Sequence, residues 1–226
     1  NGNKYDVAIV GMDNKFSAIY VKPNSYKFSN NNPLYNYNFK YNLNDTILLG
    51  NSLFVFDSLN YGMTSLKLKS IKTNPDNYYS DKIGYNLNDF ELDGINNVKT
   101  KISEISKKQK FVLLDFWGTW CKPCIELTPN LKKLHNNYIE NLNIISIAYD
   151  KDLRSVIEYT NKNNIDWFQA FIKRGRNKDS NKIISKLSIK NYPTFILMDS
   201  ERKILYRTSG LEGFNEIEKY LEKELK

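Results

Sequence analysis

The chain has 226 residues, which is long for one small domain and comfortable for two, since domains usually hold roughly 100 to 200 residues. Hydrophobic residues make up 41% and aromatic residues 14%, enough to form packed cores and to exclude wholesale disorder. The net charge of +8 comes without a long basic run, so it indicates a solvated basic surface, and we expect no nucleic-acid partner.

The first 80 residues predict short β-strands separated by turn residues. Alternating apolar and polar residues mark these strands, which are expected at residues 5–10, 15–22, 34–41, 52–56 and 65–71. Clusters of Gly, Pro and Asn between them favour turns. We therefore expect a small all-β accessory domain over residues 1–84, with a linker at residues 74–84 and no catalytic constellation.

From residue 85 the pattern changes to strands that alternate with helices. The first two apolar strands are expected at residues 111–116 and 142–149, and each is followed by a helical segment. The other expected elements are a helix at residues 152–163, a strand at 168–172, a helix near 180–187, strands at 194–198 and 204–208, and a helix from residue 215. This alternation is typical of βαβ units, so residues 85–226 predict an α/β domain with a sheet covered on both faces.

The only two cysteines, Cys121 and Cys124, stand directly after an apolar strand and at the start of a helix. A helix N-terminus presents unpaired N–H groups and a partial positive charge, which stabilise a thiolate at Cys121 and lower its pKa. The spacing of three places Cys124 one turn along on nearly the same face, within reach of a disulfide, and Pro123 stiffens the short loop. The pair predicts dithiol chemistry, with Cys121 as the nucleophile and Cys124 as the resolving thiol.

Other uses of a cysteine pair fit this sequence less well. Structural zinc needs four ligands, and the chain offers two cysteines and one distant histidine, His135. Covalent c-type haem needs a histidine directly after the second cysteine, where Ile125 stands. Inert buried cysteines need no Trp, Pro and helix start around them. We therefore expect no metal and no cofactor, and we place His135 on the surface, one step off the apolar stripe of Leu131 and Leu134.

Residues 115–124, Asp-Phe-Trp-Gly-Thr-Trp-Cys-Lys-Pro-Cys, resemble the active-site segment of thioredoxins and of the TlpA/ResA-like reductases anchored outside the bacterial cytoplasm. Pro129 stands where that family kinks its active-site helix, and Tyr-Pro-Thr at residues 192–194 resembles its cis-proline loop. Phe-Glu-Leu-Asp-Gly at residues 90–94 resembles the opening hairpin of the TlpA/ResA branch. The resemblance covers about residues 88–224 and implies a thioredoxin-like domain, a central mixed sheet flanked by helices.

The same resemblance implies which residues contact a substrate. They are Trp120, Lys122, Pro123, Tyr192 and Pro193. The Tyr192–Pro193 peptide bond is expected to be cis and to face the dithiol.

The expected acid/base partner of the dithiol is Asp115. The TlpA/ResA branch commonly carries a Glu three residues after the second cysteine, where this chain has Leu127, and the neighbouring Glu126 is expected on the surface. Asp115 instead occupies the place of the buried Asp of thioredoxin. A carboxyl group near the sheet interior has a raised pKa, which suits it to accept a proton from Cys124. The alternative is an Asp that faces solvent from its strand.

The expected function is the reduction or exchange of disulfides in protein substrates, with an upstream thiol reductant as a second partner. The resemblance implies an extracytoplasmic location, in the periplasm or facing it from a membrane. The chain starts at Asn1 without Met, which fits the removal of a signal or membrane-anchor segment and equally an engineered boundary. No apolar run approaches the roughly 18 residues that span a bilayer.

Two other functions share this fold, and the sequence disfavours the first and leaves the second open. A peroxidase of the peroxiredoxin type needs a Thr three residues before its reactive cysteine, whereas Thr119 lies two before Cys121. A thioredoxin-like module that binds or chaperones a protein, with redox turnover secondary, carries the same motifs. Turnover in an insulin-reduction assay separates such a module from an oxidoreductase.

Overall fold

The computed structural model of the chain describes residues 5–12, 15–23, 40–42, 45–50, 52–60, 62, 65–72, 74, 78–175 and 182–225. The chain forms two compact units, residues 1–79 and residues 80–226. Parts of the predicted elements lie outside the described residues: strand residues 34–39, helix residues 180–181, and turn residues 13–14, 24, 30–33, 61 and 75. The boundary after residue 84 stays a prediction.

The described part of the first unit contains two antiparallel sheets of three strands each. Their strands are β1 Tyr5–Met12, β2 Lys15–Pro23 and β3 Lys40–Tyr41, and β4 Thr46–Leu49, β5 Ser52–Leu59 and β6 Leu66–Ile71. The core of this unit is formed by Ile19, Val21, Tyr41, Ile47 and Phe56. The prediction of a β-rich first part is confirmed, although β4 was not predicted.

The second unit is built around a mixed sheet of five strands in the order β11-β10-β9-β12-β13. The strands β9, β10 and β11 are parallel, and β12 and β13 run antiparallel to their neighbours. Their bounds are β9 Phe111–Trp117, β10 Leu142–Asp150, β11 Phe168–Lys173, β12 Thr194–Asp199 and β13 Ile204–Ser209. A hairpin of β7 Glu91–Asp93 and β8 Lys99–Lys101 precedes the sheet.

Five helices accompany this sheet in the described chain: α1 Ile102–Ser106, α2 Lys122–Tyr138, α3 Leu153–Lys162, α4 Lys182–Lys186 and α5 Gly210–Leu225. The carboxylate of Asp152 caps α3 by accepting hydrogen bonds from the backbone N–H groups of Arg154 and Ser155. Pro129 lies inside α2. The predicted α/β class with a thioredoxin-like domain is confirmed, but α1 was not predicted, and α5 begins five residues before the predicted start.

Residues 80–87, part of which we predicted as a linker, run along β13 in the second unit. Gly84 donates a backbone hydrogen bond to the Ile204 carbonyl, and Leu87 donates one to the Arg202 carbonyl. Tyr85 and Leu87 are buried. Apolar side chains and backbone pairing therefore fix this segment to the unit.

Alternation along β9 determines which side chains meet α2. Val112, Leu114 and Phe116 pack in one apolar cluster, whereas Phe111 and Leu113 pack in another with residues of α2 and α5. Since successive side chains of a strand point to opposite faces, Asp115 lies on the face of Leu113, beneath α2.

Candidate active site

The two cysteines lie at the N-terminus of α2, where they form a disulfide with an S–S distance of 2.04 Å. Cys121 is the N-cap residue, and its Sγ accepts a hydrogen bond from the backbone N–H of Cys124 at 3.3 Å. Pro123 occupies the first turn, as proline does where helical N–H groups have no partner. The cysteine side chains are nearly covered, with 4% and 3% of their surface exposed.

The loop between β9 and the cysteines is held by the end of β10. Thr119 donates from its backbone N and from its Oγ1 to the Oδ2 of Asp150, both at 2.7 Å. The Oδ1 of Asp150 accepts from the backbone N of Lys151. Asp150 was not predicted as a site residue, although parallel strands bring their carboxyl ends to one sheet edge and Asp150 directly follows a predicted strand.

An aromatic cluster lies beside the dithiol. Trp120, directly before Cys121, is 43% exposed and donates from its indole nitrogen to the Tyr149 carbonyl at 2.9 Å. The ring of Tyr192 meets Trp120 edge-on at 5.2 Å and stacks on Tyr149 at 5.9 Å. The Arg174 guanidinium lies over the Trp120 ring, 4.1 Å from its centroid, a favourable cation–π geometry.

The loop before β12 lies beside the same two cysteines. The Tyr192–Pro193 peptide bond is cis, and Tyr192 packs against the cluster that contains both cysteines. The Tyr192 hydroxyl is buried and has no hydrogen-bond partner among the described residues. Burial raises the pKa of this hydroxyl well above its usual range, Tyr149 adds to the rise, and Arg174 opposes it.

Asp115 is buried in β9, with 3% of its surface exposed, so a solvent-facing Asp is excluded. Its Oδ2 accepts a hydrogen bond from the Ser146 hydroxyl on β10 at 2.9 Å. Burial raises the pKa of the Asp115 carboxyl to about 7, against the opposite effect of the Ser146 hydrogen bond. A carboxyl group with this pKa can both hold and release a proton near neutral pH.

A small cavity of about 10 Å³ is lined by both Asp115 and Cys124. Its wall also carries Ser146, Trp167 and Gln169. Within the described part of the chain, the Oδ1 of Asp115 and the Oε1 of Gln169 are buried without a hydrogen-bond partner. The cavity is about as large as the space that one water needs, and its largely apolar wall carries the polar groups of Asp115, Ser146 and Gln169.

Two other residues of the predicted site, Lys122 and Pro123, lie at the surface. Lys122 is exposed, and its ammonium lies 3.8 Å from the Glu126 carboxylate, which is also exposed. Pro123 is exposed, whereas Leu127 packs in the core. Surface ion pairs of this kind contribute little to stability.

The surface placement of His135 was wrong. The residue is 7% exposed, and its ring packs on Trp167 with centroids 5.1 Å apart. Its Nε2 lies 3.4 Å from the exposed Asp166 carboxylate. The loop before β11 covers this side of α2, and a residue one step off a helical stripe is buried when a second element packs there.

Among the residues that the structure describes, no group of three His, Cys, Asp or Glu side chains could hold a metal ion. None of the described helices is long and apolar enough to cross a membrane.

The five-stranded mixed sheet, the cysteine pair at a helix start and the buried Asp define a thioredoxin-like domain. Residues 109–204, within the second unit, match the profile of the family described as Thioredoxin-like, so this part of the chain is a thioredoxin-like domain. A relative named thiol-disulfide oxidoreductase ResA, from Bacillus thuringiensis (strain Al Hakam), is 29% identical over 151 residues, which are 65% of this chain and 83% of the relative. A protein from Bacillus subtilis (strain 168), named thioredoxin-like protein YneN, is 28% identical over 52% of this chain and 66% of its own.

Solved structures of similar fold support the same class. A thiol-disulfide oxidoreductase from Bacteroides fragilis is 26% identical with a TM-score of 0.52, over 60% of this chain and 98% of that chain. The C-terminal domain of a Bacteroides thetaiotaomicron protein is 23% identical with a TM-score of 0.54, over 64% of this chain and 98% of that chain, and shows the fold alone. The chain is thus a thioredoxin-like enzyme of the thiol-disulfide oxidoreductase class.

Proposed function

We propose that the enzyme reduces or exchanges disulfides in protein substrates through Cys121 and Cys124. The observation that carries the proposal is the position of the pair at the N-terminus of α2, where the Cys124 N–H donates to the Cys121 sulfur. A donor at this position stabilises a thiolate more than a thiol, because hydrogen bonds to charged groups are the stronger ones.

The reaction proceeds in two exchange steps. The Cys121 thiolate attacks one sulfur of the substrate disulfide, forms a mixed disulfide and releases the other substrate sulfur as a thiolate. The Cys124 thiolate then attacks the Cys121 sulfur, which forms the Cys121–Cys124 disulfide and releases the second substrate thiolate. Two electrons pass to the substrate, and an upstream thiol reductant restores the dithiol.

Asp115 serves Cys124 as the proton acceptor in the second step. The carboxyl group and Cys124 line the same small cavity, so the proton can pass directly or through one water. Burial raises the pKa of the Asp115 carboxyl to about 7, so the group can accept a proton near neutral pH and release it again.

The substrate binds over Trp120, Lys122, Pro123, Tyr192 and Pro193. Trp120 and Lys122 offer exposed surface beside Cys121, and Tyr192 packs against the cysteine cluster. Charge and aromatic surface near the thiols suit a peptide segment better than a small molecule.

The enzyme works outside the cytoplasm, because its motifs resemble the TlpA/ResA branch, and an N-terminal membrane anchor is part of this proposal. Cells that express the gene from its own start, converted to spheroplasts, test the location. External protease should degrade the enzyme and spare a cytoplasmic marker, whereas equal protection of both contradicts the proposal.

Insulin reduction tests the activity. The natural chain should turn over with dithiothreitol as reductant, and Cys121→Ser should abolish turnover. Cys124→Ser should instead trap a mixed disulfide with insulin, visible on a non-reducing gel. A natural chain that binds insulin without turnover is a binding module, and the proposal is then wrong.

A further inference from the structure

Asp115 is the end of a buried chain of hydrogen bonds that starts at Trp167. The indole N–H of Trp167 donates to the Ser146 hydroxyl at 2.9 Å, and this hydroxyl donates to the Oδ2 of Asp115 at 2.9 Å. Ser146 lies directly opposite Asp115 in the register of β9 and β10. All three side chains are buried.

The chemistry of these groups determines which atom donates and which accepts in each of these hydrogen bonds. An indole nitrogen only donates, so the Ser146 oxygen must accept from Trp167. The single hydroxyl hydrogen of Ser146 then has the Oδ2 of Asp115 as its acceptor among the described residues. A proton on Oδ2 would leave this hydrogen with a much weaker acceptor inside a buried site, which is unfavourable.

The other carboxyl oxygen of Asp115, Oδ1, accepts no such hydrogen bond within the described residues. The Oδ1 of Asp115 is buried without a hydrogen-bond partner among the described residues. Asp115 and Cys124 line the same small cavity. A proton on Oδ1 therefore costs no existing hydrogen bond and stays available to the cavity.

We propose that Ser146 and Trp167 are positioning residues that direct the exchangeable proton of Asp115 onto Oδ1, the oxygen available to Cys124. This inference rests on the proposed function, in which Asp115 exchanges a proton with Cys124. Neither positioning residue touches the sulfur in this role; both act through the carboxyl group.

Few other groups can titrate near this carboxyl. Besides Asp115, the titratable residues that line the cavity are Cys124 on α2 and Tyr159 on α3, whose hydroxyl is 2.8 Å from Thr128 Oγ1. Opposite Asp115 on β12 lies the apolar Phe195. The one histidine of the chain, His135, packs on the Trp167 ring and has Asp166 as its neighbour. Among the described residues, no lysine or arginine lines the cavity, so Ser146 is the main stabiliser of the carboxylate there.

The test is a titration of the Asp115 carboxyl in the full chain in its disulfide form, in which Cys124 cannot titrate. Infrared difference spectra with ¹³C-aspartate follow the carboxyl, and Asp115→Asn identifies its band. Ser146→Ala should lower the acid dissociation constant about tenfold, because it removes a hydrogen bond to an ionised group. Trp167→Phe should shift the constant in the same direction and move the C=O band of the protonated form, because Ser146 can then rotate and Oδ2 can carry the proton.

Three controls separate positioning from general packing. Ser146→Thr keeps the hydroxyl and should restore the natural titration. Trp117→Phe removes an indole N–H that lines the same cavity without bonding to Ser146, and should leave the band of the protonated form unchanged. His135→Gln should leave the midpoint in place, which excludes histidine as the titrating group.

The outcomes are distinct. An unchanged Asp115 titration in both Ser146→Ala and Trp167→Phe overturns the inference. A shifted titration supports it, and the reduced enzyme then tests the proposed function separately. If the pH dependence of mixed-disulfide resolution shifts with the Asp115 titration, both the inference and the proposed function stand. If the resolution rate does not follow the titration, Asp115 is not the proton acceptor, although Ser146 and Trp167 still position its proton.

Discussion

Thr119 donates two hydrogen bonds to one carboxylate oxygen of Asp150, from its backbone nitrogen and its hydroxyl, each at 2.7 Å. The carbonyl of Asp150 also accepts from the backbone N of Arg174 at 2.6 Å. Asp150, a buried residue at the end of β10, thus holds both the loop that carries Trp120 and Arg174, whose guanidinium lies over the Trp120 ring.

Asp150→Ala should therefore destabilise the second unit and loosen the dithiol loop. Loss of charged hydrogen bonds in a buried site should cost about 3 kcal/mol of unfolding free energy, and Thr119→Val, which removes the hydroxyl alone, about 1.5 kcal/mol. Urea unfolding of the disulfide form measures both. Asp93→Asn, at an exposed ion pair with Lys99, is the control and should change stability by less than about 0.5 kcal/mol. Equal stabilities of Asp150→Ala and the control would show that the loop is held by other contacts.

Gly118 allows Trp120 to lie against the loop backbone. A Cβ at position 118 would lie 2.4 Å from the indole nitrogen of Trp120, which donates to the Tyr149 carbonyl. Gly118→Ala should displace the indole, shift its fluorescence to the red and slow insulin reduction several-fold, because Trp120 is part of the proposed substrate surface.

Gly175→Ala is the matched control for Gly118→Ala, since a Cβ at position 175 meets nothing within 4 Å. Its fluorescence and turnover should equal those of the natural chain. If Gly118→Ala behaves like this control, insulin reduction does not depend on the observed position of the Trp120 indole.

The sequence predicted those features that follow from local patterns. The cysteine pair at a helix start, the parallel strands β9 and β10 and the position of Asp115 all appear as expected. The role of Asp150 in holding the loop could not be predicted, because its partner Thr119 lies 31 residues away in sequence. The hydrogen bond from Trp167 to Ser146 could not be predicted either, because the two residues lie 21 positions apart in the sequence.

The start of α5 shows how packing overrides helix propensity. The predicted start at residue 215 is wrong, because α5 begins at Gly210 and includes Gly213, although glycine disfavours helix interiors. In the structure, a Cβ at position 213 would lie 2.0 Å from the Thr208 hydroxyl, so only glycine lets the helix approach β13 there. The glycine that weakens the helix in isolation permits its contact with the sheet.

Alkylation of the reduced enzyme distinguishes the two thiols. Cys121 should react first with iodoacetamide at neutral pH, because the helix N-terminus and the Cys124 N–H favour its thiolate. Mass spectrometry of tryptic peptides after brief labelling gives the order. Unfolding in urea should make the two rates similar, and preferential labelling of Cys124 in the folded enzyme would falsify the assignment.

Asp115→Asn should slow the resolution of mixed disulfides, because an amide cannot accept the proton of Cys124. The rate for the natural chain should rise with pH through about 7, the pKa of the buried carboxyl, since only the ionised form accepts a proton. Stopped-flow measurement of a preformed mixed disulfide gives the profile. Glu126→Gln is the control at an exposed carboxylate, and its profile should match the natural one. Identical profiles for Asp115→Asn and this control mean that another base or water accepts the proton.

The raised pKa of Asp115 also makes stability depend on pH, in a direction that can be stated in advance. Between about pH 4 and pH 7 the folded chain holds a proton on Asp115 that the unfolded chain has released, so the free energy of unfolding falls as pH rises. At 1.36 kcal/mol for each pKa unit, the loss reaches about 4 kcal/mol above pH 7 and is absent below pH 4. Asp115→Asn carries no charge and should escape this loss, so the variant should be more stable than the natural chain at pH 8 and equal to it near pH 4.

Urea unfolding of the disulfide form from pH 4 to pH 9 measures this difference. Asp150 is left intact in both proteins, so the difference between the two curves isolates Asp115 from the other carboxyl groups. Their separation should grow from pH 4 to pH 7 and then stay constant. A separation that is independent of pH would mean that the Asp115 carboxyl titrates near its unfolded value, and then the buried acid cannot act as a base tuned to neutral pH.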